Sequence, residues 1–239
     1  MKFENTHVFN IYGAMRGMRN PLESWDNMDS YIADDYDERI WNSEISYEEI
    51  GENDLKLAQN LLKASIKEGN SHSKFMRQIL VSVNITAPLY WWKEFDTYKI
   101  GTVANSTSTM HKIQSNPITL DCFEIDDFNN VPYPKEAQRK EIESFADHDV
   151  VQMVIIPYLE YLRQMYLATK DKVYWKELIR WLPEGWLQTR TITMNYQVIR
   201  QMYFDRRNHK LTEWRRAFID WVKTLPYAKE LIMYEGGNK

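Results

Sequence analysis

The sequence predicts an α+β fold, a mostly antiparallel sheet covered by helices, and two patterns carry that expectation. The run ILVSVNIT at 79–86 puts Ile79, Val81, Val83 and Ile85 on one side and Ser82, Asn84 and Thr86 on the other. Alternation with period two is the mark of a half-buried strand. Ahead of it, Leu55, Ala58, Leu61, Leu62 and Ile66 recur at the spacing of one apolar helix face. No repeat, low-complexity tract or Gly/Ser linker divides the 239 residues, so one domain over 1–239 is expected.

Taken in order, residues 7–15 read as an opening strand, with turn chemistry at Gly13 and Gly17. Residues 21–50 are acidic and irregular, with room for one short helix after Pro21. Asn53 reads as the N-cap of the first long helix and Gly69 as its stop. After the strand at 79–86, Pro88 suits a first helical turn, and Leu89, Trp92 and Phe95 share a face. Trp91 and Trp92 read as core rather than as a stacking platform for bases. From Thr97 the apolar content falls, and 97–109 reads as a loop of hydroxyl and amide side chains.

Residues 118–125 read as a further strand. A helical region runs from Pro134 to about Ala168, kinked at Pro157, and a shorter helix carrying Trp175, Leu178, Ile179 and Leu182 stops at Pro183. The run TRTITMN is β-like. Asn195 then caps a helix with Val198, Ile199, Met202 and Tyr203 on one face. Trp214, Phe218, Trp221 and Leu225 mark the last helix.

Composition narrows the function classes. A net charge of −4 and a pI near 5.8 argue against a general nucleic-acid binder, which needs a basic field. The single cysteine, Cys122, excludes an internal disulfide and fits a reducing compartment. The first residues lack the apolar core of a signal peptide. No apolar run approaches the roughly 20 residues of a membrane span; 150–156 is broken by Gln152 and ends at Pro157. The chain therefore reads as cytoplasmic, with no membrane or nucleic-acid partner.

Local motifs exclude more than they assign. There is no Walker loop, GxGxxG or GxSxG. The five histidines, at 7, 72, 111, 148 and 209, show no metal-ligand spacing, so no metal is expected. Arg206 lies four and seven residues beyond Met202 and Ile199, on the core-facing side of its helix. A guanidinium stays charged there and needs a carboxylate, a ligand anion or a route to solvent. The alternative is a helix C-terminus facing water, where the dipole favours Arg206 and Arg207. Asn105, Ser106, Thr107, Ser108 and Thr109 suit phosphate or carbonyl oxygens, or else form an ordinary turn-rich loop.

Two segments together resemble the flavin-dependent thymidylate synthase family, the ThyX proteins. The first is HSKFMRQILVSVNITAPLYWWKEFDTYKIGTVANSTST, 72–109. It is similar to the family's order of a histidine, a Glu-His pair, a strand, an Ala-Pro helix start, then Arg-His-Arg followed by serine. The second is WLPEGWLQTRTITMNYQVIRQMYFDRR, 181–207. Leu182-Pro183, Asn195 and Arg206 fall where the family has Leu-Pro, an asparagine and the arginine that grips the pyrimidine of dUMP.

The resemblance implies C5 methylation of dUMP with FAD as cofactor and NADPH and methylenetetrahydrofolate as co-substrates. It implies a homotetramer whose ligands are small-molecule nucleotides. Residue by residue, it implies Arg206 as the catalytic arginine. It implies Lys99, Asn105, Thr107, Thr109, Asn195 and Arg206 on the substrate, and His72, Gln78, Thr97, Tyr98, Lys99 and Asn195 on the cofactor. The chain also departs from the pattern. Thr97, Tyr98 and Lys99 replace Arg-His-Arg, Thr107 replaces the serine, Thr109 a following arginine, and Arg77-Gln78 the Glu-His pair. Each charged hydrogen bond to phosphate lost in this way weakens binding by roughly 1.5–3 kcal/mol. Arg77, Lys99, Lys112 and Arg190 are candidate replacements. The alternative implied by these departures is a nucleotide-binding relative that has lost flavin chemistry and binds, sequesters or modifies another pyrimidine nucleotide.

Overall fold

In the computed structural model, residues 1–32, 48–125 and 147–236 are described. Strand β1, Lys2–Phe9, ends at Asn10, whose left-handed backbone (φ 65°) turns the chain into helix α1, Ile11–Arg19. The expected strand at 7–15 is therefore mostly helix, and Gly13 and Gly17 lie inside α1 rather than in turns. Asn20–Leu22 and Trp25–Asn27 form short 3-10 turns after it. The two-residue strands β2, Tyr31–Ile32, and β3, Glu48–Glu49, pair antiparallel. Helix α2 spans Glu52–Glu68 and ends at Gly69 (φ 97°), as expected.

The start of α2 differs from the expected cap. Gly51 occupies the N-cap position, and the Asp29 carboxylate accepts from the backbone N–H groups of Asn53 (2.8 Å) and Asp54 (3.0 Å). Glu48 does the same for α1, accepting from Ile11 and Tyr12. Both helices thus have their first amides bonded by carboxylates distant in sequence, where the helix dipole favours negative charge.

Strand β4, Leu80–Pro88, is followed by α3, Leu89–Phe95, β5, Thr102–Ser106, and α4, Thr109–Lys112. The expected loop at 97–109 thus contains an edge strand and a helical turn. Residues 118–125 also depart from expectation: Leu120–Cys122 is a 3-10 turn, and Phe123 makes an isolated bridge to Trp186. The expected helix start at Pro134 lies outside the described residues. From Asp147–Val150, α5, the chain passes through a π-helical stretch, Val151–Ile155, into α6, Ile156–Thr169, with Pro157 in its first turn. Helix α7, Lys172–Arg180, strand β6, Leu187–Asn195, and helix α8, Tyr196–Arg206, follow. The last long segment is π-helical over Glu213–Phe218 and α-helical over Ile219–Thr224, α9.

The fold is mixed helix and antiparallel sheet, with main-sheet order β1-β4-β6-β5. Ile79, just before β4, and Val81, Val83 and Ile85 on it are fully buried, while Ser82, Asn84 and Thr86 are half-buried, as alternation requires. Ile192 and Met194 repeat the pattern on β6.

The chain divides into two compact units. One comprises Met1, Thr86–Phe95 and Ser106–Arg190; the other comprises Lys2–Ile85, Asp96–Asn105 and Thr191–Lys239. Within the first, Ile113, Ile118, Phe123, Leu159, Leu162 and Leu178 form an apolar cluster. Trp91 and Trp92 are buried in that unit too, edge to face at 4.9 Å. Within the second, Phe3 stacks on Trp221 at 4.8 Å and the Trp221 indole N–H donates to Thr6. Buried Arg200 donates to the carbonyls of Leu231 and Ile232, closing the helical turn at Ala228–Ile232. Among the described residues, no helix is long and apolar enough to cross a membrane.

Candidate functional site

In the second unit, a cleft of about 560 Å³ opens between α1, α2 and the 3-10 turn Lys74–Arg77. That is within the usual range for small-molecule sites, about 300–1,000 Å³. Leu57, Leu61 and Phe75 form apolar lining; Arg19, His72, Lys74 and Gln78 supply polar groups. Among the described residues no carboxylate lines it, in a chain whose net charge is negative. The cleft therefore offers an apolar wall with polar groups and the Lys74 cation around it.

Two of the expected cofactor residues, His72 and Gln78, come together here. His72 is at the exposed rim, 3.0 Å from Glu68. Gln78 lies against α1 because residue 17 is glycine: a Cβ there would stand 2.6 Å from Gln78 Oε1. Arg19, which sequence pattern did not single out, is 5% exposed. Its Nε donates to Asp54 Oδ1 at 2.5 Å, and Asp54 Oδ2 accepts from Ser30 N, Ser30 Oγ and Asp29 N. A buried charge pair of this kind gives no periodic signal in sequence, since its partners are 35 residues apart.

A second cluster in the same unit surrounds the C-terminal end of α8. The Arg206 Nε–H donates to the Tyr98 hydroxyl at 2.9 Å, and the Tyr98 hydroxyl donates to Asp205 Oδ2 at 3.2 Å. The guanidinium carbon lies 5.5 Å from the Tyr98 ring centre and 5.0 Å from that of Trp214. Arg206 is thus half-buried and bonded, which answers the partner question raised by its core-facing register. Burial raises the Tyr98 hydroxyl pKa above its ordinary value, opposed by the hydrogen bond from Arg206.

The remaining expected residues are spread along the same segment. Thr97 and Lys99 flank Tyr98 and are exposed. Asn195 caps α8, its Oδ1 accepting from Val198 N at 3.0 Å. Its Nδ2 sits where a Cβ of Gly101 would be, 2.8 Å away, and Gly101 has φ 80°, so glycine is required there on two counts. Asn105 is exposed on β5.

Thr107 and Thr109 belong to the first unit. The Thr107 backbone N–H and hydroxyl both reach Thr189 O, at 2.8 and 3.2 Å, and Gln188 donates to Thr107 O. Thr107 therefore helps fix the register against β6. Thr109 opens α4, which Ser108 caps. Of the candidate replacement cations, Arg190 lies over the Trp92 ring at 4.2 Å, while Arg77 and Lys112 are exposed.

No protein-family model matches the chain, and no curated protein matches it. Solved structures do. One is a flavin-dependent thymidylate synthase ThyX from Helicobacter pylori complexed with FAD and dUMP: TM-score 0.60, 16% identity, 100% of each chain covered. Another ThyX structure from Helicobacter pylori, with FAD and dUMP at 2.31 Å resolution, matches with TM-score 0.58 and 15% identity over 96% of this chain and 94% of that one. The chain shares its fold with these structures.

Proposed function

We propose that this protein is a divergent flavin-dependent thymidylate synthase-like enzyme that methylates dUMP at C5, using methylenetetrahydrofolate, FAD and NADPH. The observation that carries the reading is the end-to-end fold likeness to a ThyX structure complexed with FAD and dUMP. The cleft that holds His72 and Gln78 supports it. Its volume and apolar lining fit a flavin ring, and Lys74 fits part of its anionic tail.

When bound, FAD supplies the redox chemistry. The chain's own residues bind, orient and polarise. Lys74 meets negative charge at the rim of the cleft, His72 lines that rim, and Gln78 offers its amide to a ring edge. Arg206 neutralises charge developing on the uracil carbonyl, as electrostatic stabilisation requires. Lys99 meets the nucleotide phosphate. Asn105 offers its amide to the nucleotide, and Asn195 holds the start of the helix that carries Arg206. A homotetramer is part of this reading.

The second reading is a nucleotide-binding relative without flavin chemistry. Thr97-Tyr98-Lys99 favours it, because Tyr98 bonds Arg206 at a place where the resembling family has charged groups for phosphate. Purified protein incubated with FAD and dUMP separates the two. The enzyme reading predicts a flavin band near about 450 nm that survives desalting, and dTMP formation that needs NADPH and methylenetetrahydrofolate. A colourless protein stabilised by dUMP supports the second reading. A protein that responds neither to FAD nor to dUMP or any other pyrimidine nucleotide contradicts both.

A further inference from the structure

We infer that Tyr98 is a positioning residue for Arg206, holding its guanidinium in the corner where the Tyr98 ring meets the Trp214 indole. This rests on the proposed role of Arg206 toward a pyrimidine nucleotide.

Three contacts build the corner. The phenol accepts the Arg206 Nε–H at 2.9 Å. Asp205, the neighbouring residue on α8, accepts the phenol's own proton at 3.2 Å and so fixes which lone pair faces Arg206. Trp214, fully buried, lies at 6.4 Å from the Tyr98 ring in an edge-on arrangement, with the guanidinium 5.0 and 5.5 Å from the two ring centres.

An arginine side chain has several rotatable bonds, and a ligand that must order them loses affinity. A guanidinium packed into a corner of two rings and bonded at Nε has much of that freedom removed before the ligand arrives. Cation–π contact adds attraction without removing charge. The Tyr98 backbone is itself fixed: its carbonyl accepts from the Thr102 hydroxyl at 2.8 Å, and Gly101 packs on Asn195 at the other end of α8. Segment 98–101 therefore runs along α8 and is tied at both ends. The phenol acts through Arg206 and needs no contact with the ligand.

The test compares Tyr98→Phe, Arg206→Lys and the double variant in the full chain. One readout is the arginine Nε–H signal in a ¹⁵N–¹H spectrum, assigned by its loss in Arg206→Lys. The other is the dUMP dissociation constant. In Tyr98→Phe the Arg206 Nε–H should lose protection from solvent exchange, and dUMP affinity should fall about 10-fold, the size expected for one charge-assisted hydrogen bond. In the Arg206→Lys background the same change should alter affinity less than about twofold, because the two residues act as one unit. Asp205→Asn, an exposed change that spares the rings, should give a smaller loss in the same direction.

An unchanged Nε–H signal in Tyr98→Phe overturns the inference, as does an equal loss of affinity in both backgrounds. A wild-type protein that does not bind dUMP removes the proposed role of Arg206. The Nε–H comparison then decides the positioning role of Tyr98 alone.

Discussion

The Gln78 amide occupies the space that a side chain at Gly17 would need: its Oε1 lies 2.6 Å from the position of a Cβ there. Both residues line the cleft, so the backbone of α1 and the amide form one surface. Alanine in a helix interior is favoured over glycine by about 0.5–1 kcal/mol, and the displaced group is the far end of a flexible chain. Gly17→Ala should therefore leave the melting temperature level or slightly raised while changing FAD affinity several-fold. Calorimetry on both properties checks it; unchanged FAD binding with Gln78 displaced would separate Gln78 from the ligand.

Arg19, which lines the same cleft, forms a buried pair with Asp54. Removing one partner strands the other charge, at a cost of about 3–5 kcal/mol. Asp54→Ala should lower the urea midpoint strongly, since Asp54 also accepts from Ser30 and Asp29. A shift no larger than that of an exposed substitution would contradict the assignment.

Glu160 gives a pH signature. Arg163 donates to both its oxygens at 2.7 Å, and Ile118 N donates at 3.0 Å. The Arg163 hydrogen bonds, and then that of Ile118, bring its pKa down from 4.5 to about 2, against the opposing effect of burial. A depressed folded-state pKa means stability that is present above about 4.5 and lost as pH falls toward 2. Discounted for partial exposure, Glu160→Gln should cost about 2 kcal/mol near neutrality. The difference should shrink steadily between pH 4.5 and 2 in denaturation curves; a pH-independent difference would refute the linkage.

Asn195 has a role that substitution can divide. Aspartate keeps an acceptor for Val198 N and alanine does not. Asn195→Ala should cost about 1 kcal/mol and Asn195→Asp much less, measured by thermal unfolding. Equal costs would mean that the Nδ2 packed on Gly101 matters more than the cap.

Where the chain alternates or repeats at helical spacing, the fold was legible. Strand β4, helix α2, the Asn195 cap and the buried Trp91-Trp92 pair follow from local pattern. The misreadings share a cause: a long-range partner decided the local geometry. Gly17 suggested a turn but serves the approach of Gln78 from 61 residues away. Asn53 looked like a cap, yet its amide is bonded by Asp29. The hydroxyl run at 102–106 looked like a loop but pairs as an edge strand beside β6. In the candidate site, the register of Arg206 signalled that it needed a partner, and only the fold supplied Tyr98, 108 residues away.

The most direct test of the account is the thermal shift produced by dUMP in the wild-type protein and in Arg206→Ala. A ligand that prefers the native state raises its melting point. The account predicts a clear rise for the wild type and none for a folded Arg206→Ala protein. An equal rise in both proteins would contradict it.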